Sequence, residues 1–572
     1  MKNRLVALIL VLIMALPLLS ACQSNPAATV NPTIAATSAN ITSAAATTAD
    51  ATATAAVTEP AAGDSGIAPY GKYAKEVKVT MSLTSSSDWD KASTSGITLQ
   101  KNLYSDYLKN TFNVVIDYVW SSPSDSYNQK VSLVIASGDV PDIMGVGKQE
   151  QIIQLQEAGM LADLTTSYET TAAPYIKAFY DSYGDRKFTT ATFDGKLMAV
   201  PGLTPGYQHS FTWIRKDWLD KFGLSAPKTM DDLTNIAKTF IAKKAGGEGT
   251  IGFPLNNFVA GNYNSYANMD PLFASLGSSP RQWLKNAAGD YYYGTVAPET
   301  KTALAKVRDM YASGLIDQGF AARTSDDINA QLLSGKSGIF FGPWWMPDWP
   351  LGAAISNNAK ADWQPYLAPL DSNGDFYALQ QNPHASWSAV NVKCANPEVV
   401  WKLLNLSWSR GTIKELTDIR NITYKKENLG MPWQVVDMVQ WSDAIPREYK
   451  VLQAAIDAKS SAGLAPEPLS FYTDMQKWLV DKDPTAWHTY GCRITGSGVA
   501  SMPTKFVDNV YPATTPAMET KWANLQTMEN QAMLEIIMGQ KPIDYFDTFV
   551  QQWNNQGGKE IVAEVNAEMK AK

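Results

Sequence analysis

Apolar and polar positions alternate regularly only after about residue 72. Val77-Lys78-Val79-Thr80-Met81-Ser82-Leu83 carries an apolar side chain at every second place, the period of a strand with one buried face. Residues 99–110 switch to helical spacing, and Val114-Val115-Ile116-Asp117-Tyr118-Val119 reads as a second strand. Residues 127–137 are helical again, with a short apolar segment after Pro141. Strand, helix, strand, helix at this rhythm predicts a parallel sheet with crossover helices, and so an α/β fold. The chain of 572 residues is far longer than one core holds, so two or more domains are expected.

The pattern is different before residue 72. Residues 5–19 are apolar apart from Pro17, follow Lys2 and Arg4, and lead into Leu19-Ser20-Ala21-Cys22. The run is short and wrongly flanked for a spanning helix, and it predicts a secretory signal peptide over residues 1–21. Leu-Ser-Ala-Cys resembles a bacterial lipobox. That resemblance implies cleavage before Cys22, acylation of its sulfur, and a lipid-anchored place on the extracytoplasmic face of the cell membrane. From Gln23 to about Gly66 the chain is mostly Ala, Thr, Ser and Pro, with Asp50, Glu59 and Asp64 its only charges. Such a stretch buries too little to offset chain entropy, so residues 22–70 are expected to be a lipidated cysteine and a disordered tether.

Net charge is −7 over the whole chain, and loss of Lys2 and Arg4 takes it to −9. No basic field is present to attract nucleic acid. Cys394 and Cys492 lack the spacing of a zinc or redox motif; one bridge or two buried thiols both fit the sequence. HExxH, GxSxG and P-loop motifs are absent, and the chain has only three His, so no enzyme is expected. Asp371-Ser372-Asn373-Gly374-Asp375 has its glycine misplaced for an EF-hand and reads as a hairpin turn.

Ala136-Ser137-Gly138-Asp139-Val140-Pro141-Asp142-Ile143 resembles a segment of the family 1 extracellular solute-binding proteins. Gly159 to Leu164, Phe193 to Pro201, Trp213 to Leu219, Met310 to Asp317 and Ser334 to Trp344 are similar to later family segments, in order. Trp553, Gly557-Gly558 and Glu564-Val565-Asn566 resemble the ending of its large lipoprotein members. The resemblance implies a two-lobed, periplasmic-binding-protein-like α/β fold, with three hinge crossings and a ligand cleft between the lobes. It places the crossings near 198–206, 380–390 and 503–512. Lobe 1 is then 71–200 plus 388–505, and lobe 2 is 201–387 plus 506–572. It also implies a substrate-binding subunit of an ABC importer, working with membrane permease subunits on a mono- or oligosaccharide. A peptide or other polar solute, or a sensing receptor, are the alternatives. A monomer without cofactors is expected. Some large members carry an acidic calcium loop where this chain has Lys243-Lys244-Ala245-Gly246-Gly247-Glu248-Gly249-Thr250. One carboxylate is too few for a hard cation, so no metal is expected there.

A sugar presents C–H faces to aromatic planes and a hydroxyl rim to amides, carboxylates and guanidinium groups. Trp344 and Trp345 follow the apolar strand Ile339-Phe340-Phe341 through a Gly-Pro turn, at the sheet edge where α/β folds bind ligands. By the resemblance, Trp344 aligns with an aromatic residue that stacks on sugar. Trp89 and Trp120 follow the first two strands, each with loop anchoring as the alternative role. Gln149 sits where the resemblance puts an acidic sugar contact, while Asp142 reads as a structural brace. Tyr207 falls at the first hinge, Asn257 at a strand end, and Asn382, His384 and Trp387 at the second hinge. Arg493, between Gly491 and Gly496, completes the candidates as a donor to hydroxyls or to a uronate. Hinge packing is the alternative for each of the last group.

Overall fold

The first predicted strand is present as β1 (Val77–Ser85) in the computed structural model, which describes residues 66–571 apart from 86–88, 90–95, 381, 410–412, 428–430, 434 and 437. The expected signal peptide, Cys22 and the tether through residue 65 lie outside the described residues. Val77, Val79 and Met81 are buried and Lys78 is exposed, so the alternation does point one face inward. β2 (Val114–Pro123) pairs with β1 in parallel, and helix Ser124–Ser137 crosses back to β3 (Ile143–Val146), also parallel to β1. The helix expected over 99–110 is shorter, Leu103–Tyr107 with a wider turn Leu108–Phe112. Its start is set by Asn102, which caps Ser105 N–H and donates its own amide to the Thr98 and Leu99 carbonyls. Asp142 braces two strands: its carboxylate accepts from Thr80 N–H and Oγ1, both at 2.8 Å.

The remaining strands used below are β4 (Ala199–Pro201), β5 (Phe211–Arg215), β6 (Ile339–Gly342), β7 (Trp363–Tyr366), β8 (Tyr377–Gln380), β9 (Trp387–Val390) and β10 (Lys505–Asp508). The first sheet runs β2-β1-β3-β9-β4, with β9 antiparallel to both its neighbours. β6-β5-β7 forms a second, antiparallel sheet, and β8 pairs with β10 in parallel. β7 and β8 therefore do not pair with each other. The turn at 371–375 is closed instead by Asp371, whose carboxylate accepts from the Asn373 and Asp375 N–H groups.

Two separate sets of buried side chains define two lobes. One core takes residues from 73 to 203 and from 387 to 439, around Val79, Ile143, Val200 and Trp401. The other lobe holds Phe211 to Ala378 and resumes at Ile445, continuing through Trp487 to the C-terminal helices around Leu525 and Trp553. The chain thus passes between cores three times, near 203–211, 378–387 and 439–445. These passages are tied together: Gly202 N–H donates to Ser386 O (2.7 Å), Leu203 to Met438 O (2.6 Å), Thr204 to Pro383 O (2.8 Å) and Gly206 to Ser442 O (3.0 Å). A Cβ on Gly202 would stand 2.7 Å from Ser386 Oγ, so this close approach needs glycine.

The sequence-based lobe boundary at 505 is corrected. Residues 445–500 pack on the second lobe through Ile445, Trp487, Val499 and Ala500. Hence the third crossing lies near 439–445, and 503–512 is not a crossing but the strand β10 lying alongside β8. Cys394 and Cys492 are both free thiols and both buried; Cys394 belongs to the first core, and Cys492 Sγ accepts from Asp348 N–H in the second lobe.

Candidate functional site

β6 ends at Gly342, and Pro343 turns the chain so that Trp344 and Trp345 emerge half-buried beside the second-lobe core. Neither indole is loose. Trp344 Nε1 donates to Gln208 Oε1 at 2.9 Å, and Trp345 Nε1 donates to Asn264 Oδ1 at 2.8 Å. Tyr266 meets Trp345 edge-on at 6.1 Å between ring centres. Both amide partners come from segments next to the crossings. Gln208 belongs to the first passage, and Asn264 to the loop 256–266, where Asn256 turns inward to the Tyr266 carbonyl and Phe258 N–H. Asn257, the expected ligand contact in that loop, is exposed.

Arg493 stands against this wall. Its guanidinium lies 5.1 Å from the Trp344 ring centre and 4.1 Å from that of Phe471, and Nη1 pairs with Glu448 Oε1 at 3.0 Å. The turn that carries it, Gly491–Gly496, docks directly on Trp344 to Pro347. A Cβ on Gly496 would be 2.3 Å from the Trp344 carbonyl oxygen, and one on Gly491 would be 2.7 Å from Pro347 Cβ. Glycine at both ends is thus what allows the approach.

Behind Trp345 the wall continues to the hinge. His209, Ser210, Tyr263, Asn264, Asp270 and Tyr377 line a small cavity, and Tyr263 also borders a second one with Arg186, Thr204, Gln380 and Asn382. Here the lobes meet. Arg186 of the first lobe is 3.5 Å from Asp508 of β10. His209 is surrounded by Phe211, Phe376 and Phe506, and burial lowers its pKa to about 3, so the ring is neutral. Burial also raises Asp270 to about 6, against hydrogen bonds from the Gly261 and Asn262 N–H groups.

The other expected residues distribute unevenly. Tyr207 adopts φ +65° in the first passage and packs its ring edge-on against Phe506 at 5.3 Å. Asn382 borders the hinge cavity, its Oδ1 accepting from His384 N–H at 3.1 Å. In the first lobe, Trp120 stacks at a tilt on Tyr127, 5.2 Å apart, with its indole N–H buried and unpaired among the described residues. Gln149 opens helix Gln149–Glu157 and is half-buried, as is Trp89. Trp387 is a correction. It is 4% exposed in the first core and donates to Thr190 Oγ1 at 3.0 Å, because a strand lies on each side of it. Sequence reasoning missed Gln208, Asn264, Tyr266 and Glu448. The Asn- and Tyr-rich run from 256 to 268 was the available signal for two of them.

Two lobes joined by three hydrogen-bonded passages, with an aromatic and amide wall next to the joints, define a two-lobed α/β fold of the periplasmic-binding kind. The chain belongs to the bacterial extracellular solute-binding proteins, whose family model matches residues 90–407, more than half of its length. Lipoprotein LipO of Bacillus subtilis is 27% identical over 38% of this chain and 42% of its own. The fructooligosaccharide ABC transporter substrate-binding protein FusA of Streptococcus pneumoniae is 26% identical over 44% and 47%. The polygalacturonan/rhamnogalacturonan-binding protein YtcQ of Bacillus subtilis is 24% identical over 40% and 44%. The matches therefore span under half the length of these relatives. The FusA structure in complex with kestose superposes with a TM-score of 0.55 at 16% identity, over 87% of this chain and 99% of that one, which identifies the fold.

Proposed function

We propose that this chain captures a mono- or oligosaccharide between its lobes, closes by bending at the three crossings, and delivers the guest to the permease subunits of an ABC importer. The observation that carries this reading is the Trp344–Trp345 pair: adjacent, half-buried indoles, each held by an amide side chain, beside the hinge. Fixed indole planes suit the C–H face of a sugar, and the surrounding amides suit its hydroxyls. Tyr207, Asn382 and Arg493 complete the second-lobe and hinge side; Trp89, Trp120 and Gln149 supply the first-lobe side. A guest that touches both lobes only in the closed form shifts the equilibrium toward it. The sugar-binding names of two relatives support the same reading. Acylation of Cys22 and the tether behind it hold the protein on the outer face of the cell membrane, in keeping with the lipoprotein name of a third. The protein acts as a monomer, without a cofactor, and leaves its guest chemically unchanged.

Intrinsic-fluorescence titration of the full chain with a panel of saccharides tests this. Saturable changes with at least one saccharide, and no new products on chromatography, are expected. Binding of a peptide or an amine with no response to any saccharide at millimolar concentration would overturn the carbohydrate assignment.

A further inference from the structure

The Arg493 guanidinium stands against the indole wall, paired with one carboxylate and set over two aromatic rings. Glu448 pairs with it at 3.0 Å, and it lies over the Trp344 and Phe471 rings at 5.1 and 4.1 Å from their centres. The side chains of Arg493 and Glu448 are 21% and 22% exposed, so the pair is shielded enough from water to persist. A guanidinium held over two rings fixes an aromatic plane well, and its pairing with Glu448 cancels much of the charge that would attract an incoming carboxylate. The chain's net charge of −7 adds long-range repulsion toward a polyanion.

We infer that Glu448 and Arg493 are positioning residues that brace Trp344 and make the wall selective for neutral saccharides over uronates. This rests on the carbohydrate reading above. It assigns Arg493 to holding the indole, not to binding a carboxylate, and it gives Glu448 the task of cancelling the cation at the wall.

The test uses the full chain, with maltotriose, galactotriose and a fructo-oligosaccharide as neutral probes and trigalacturonate and trimannuronate as charged ones. Titration at low and at high salt is expected to give at least one neutral ligand bound about tenfold or more tighter than either uronate, the margin that roughly 1.4 kcal/mol supplies. Glu448→Gln is expected to narrow that margin by raising uronate affinity, most of all at low salt. Arg493→Lys keeps the charge but loses the planar stack, and is expected to weaken neutral binding about tenfold or less. A purely structural role would lower all affinities together and leave the ratio unmoved. A uronate preferred by the parent chain, or an unchanged ratio in a folded Glu448→Gln protein, overturns the inference while leaving carbohydrate binding intact. A chain that binds no saccharide of either kind fails at the earlier step.

Discussion

Trp387 and Trp344 both stand next to a strand end, and the structure uses them in opposite ways. Trp387 opens β9, which is paired on both sides, opposite Val146 of β3 and Pro201 of β4. Flanked so, its indole has nowhere to go but the core, and its N–H finds Thr190, itself bonded to the His384 ring at 2.7 Å. Trp344 stands two residues beyond β6, after the strand has ended and with no strand pairing to hold it. Its N–H is satisfied by an amide from a hinge segment, so the ring stays half-buried. The burial of these two indoles thus follows the strand pairing beside each one.

The comparison can be broken by exchanging the expected phenotypes. Trp387→Ala removes a fully enclosed ring and is expected to cost about 3–5 kcal/mol of stability, read as a lower Tm, with little change in affinity of the protein that remains folded. Trp344→Ala is expected to leave Tm nearly unchanged and to weaken saccharide binding on the order of 100-fold, the scale of a central aromatic anchor. A large loss of Tm in the second variant and of affinity in the first would invert the assignment.

Deeper in the second lobe, the same contrast between enclosed and accessible groups has a pH signature. Glu529 is fully buried. Its Oε1 accepts from Trp553 Nε1 at 3.1 Å, while Arg281 Nε stays 3.9 Å from Oε2, too far for a hydrogen bond. Burial therefore wins over the nearby cation and raises the carboxyl to about 7. With a folded pKa above the ordinary value of 4.5, the protonated form favours folding, so this contribution is complete below about pH 4.5 and is lost as pH rises through about 7. The neutral rings of His209 and His384, lowered by burial to about 3 and about 4, act in the other direction below about pH 6.5. The useful quantity is thus a difference: Glu529→Gln is expected to gain stability over the parent between pH 5 and 8, reaching on the order of 2–3 kcal/mol, measured by denaturant unfolding. A pH-independent difference would show that Glu529 is ionised throughout.

The first lobe was the more legible from sequence for a physical reason. Its opening elements are local, with a period-2 strand, a helical crossover and a second strand close together, so Val77 to Met81 and the helix Ser124–Ser137 follow from pattern alone. The wall depends on partners 136 residues apart for Trp344 and Gln208, and 81 apart for Trp345 and Asn264. No periodicity encodes such pairings. The third crossing was misplaced because residues 505–508 do form a strand, but one that lies beside β8. The attachment of 445–500 to the second lobe rests on scattered contacts such as Ile445 and Trp487. The arginine was found by its type and by its flanking glycines, whereas its partner Glu448 lies on a helical face with nothing to distinguish it from solvated acids.

The smallest expected effect lies far from the wall, in the loop 243–250. There Lys336 Nζ donates to the Glu248 carbonyl at 2.6 Å and to the Gly246 carbonyl at 3.3 Å. An ammonium therefore sits on oxygens of the kind a hard cation would use, and the loop's one carboxylate, Glu248, is drawn to Lys244. The positive charge at this turn is supplied from within the chain, and no calcium site is expected there. Calorimetric titration with calcium is expected to give no stoichiometric heat. Lys336→Met is expected to destabilise by about 1 kcal/mol, since the contact is partly wetted, with saccharide affinity untouched. Tight calcium binding by the parent would show that the ammonium yields its place. Recovery of the Lys336→Met variant by calcium, with the parent unresponsive, would show that the lysine and a metal are interchangeable solutions to the same cluster of carbonyls.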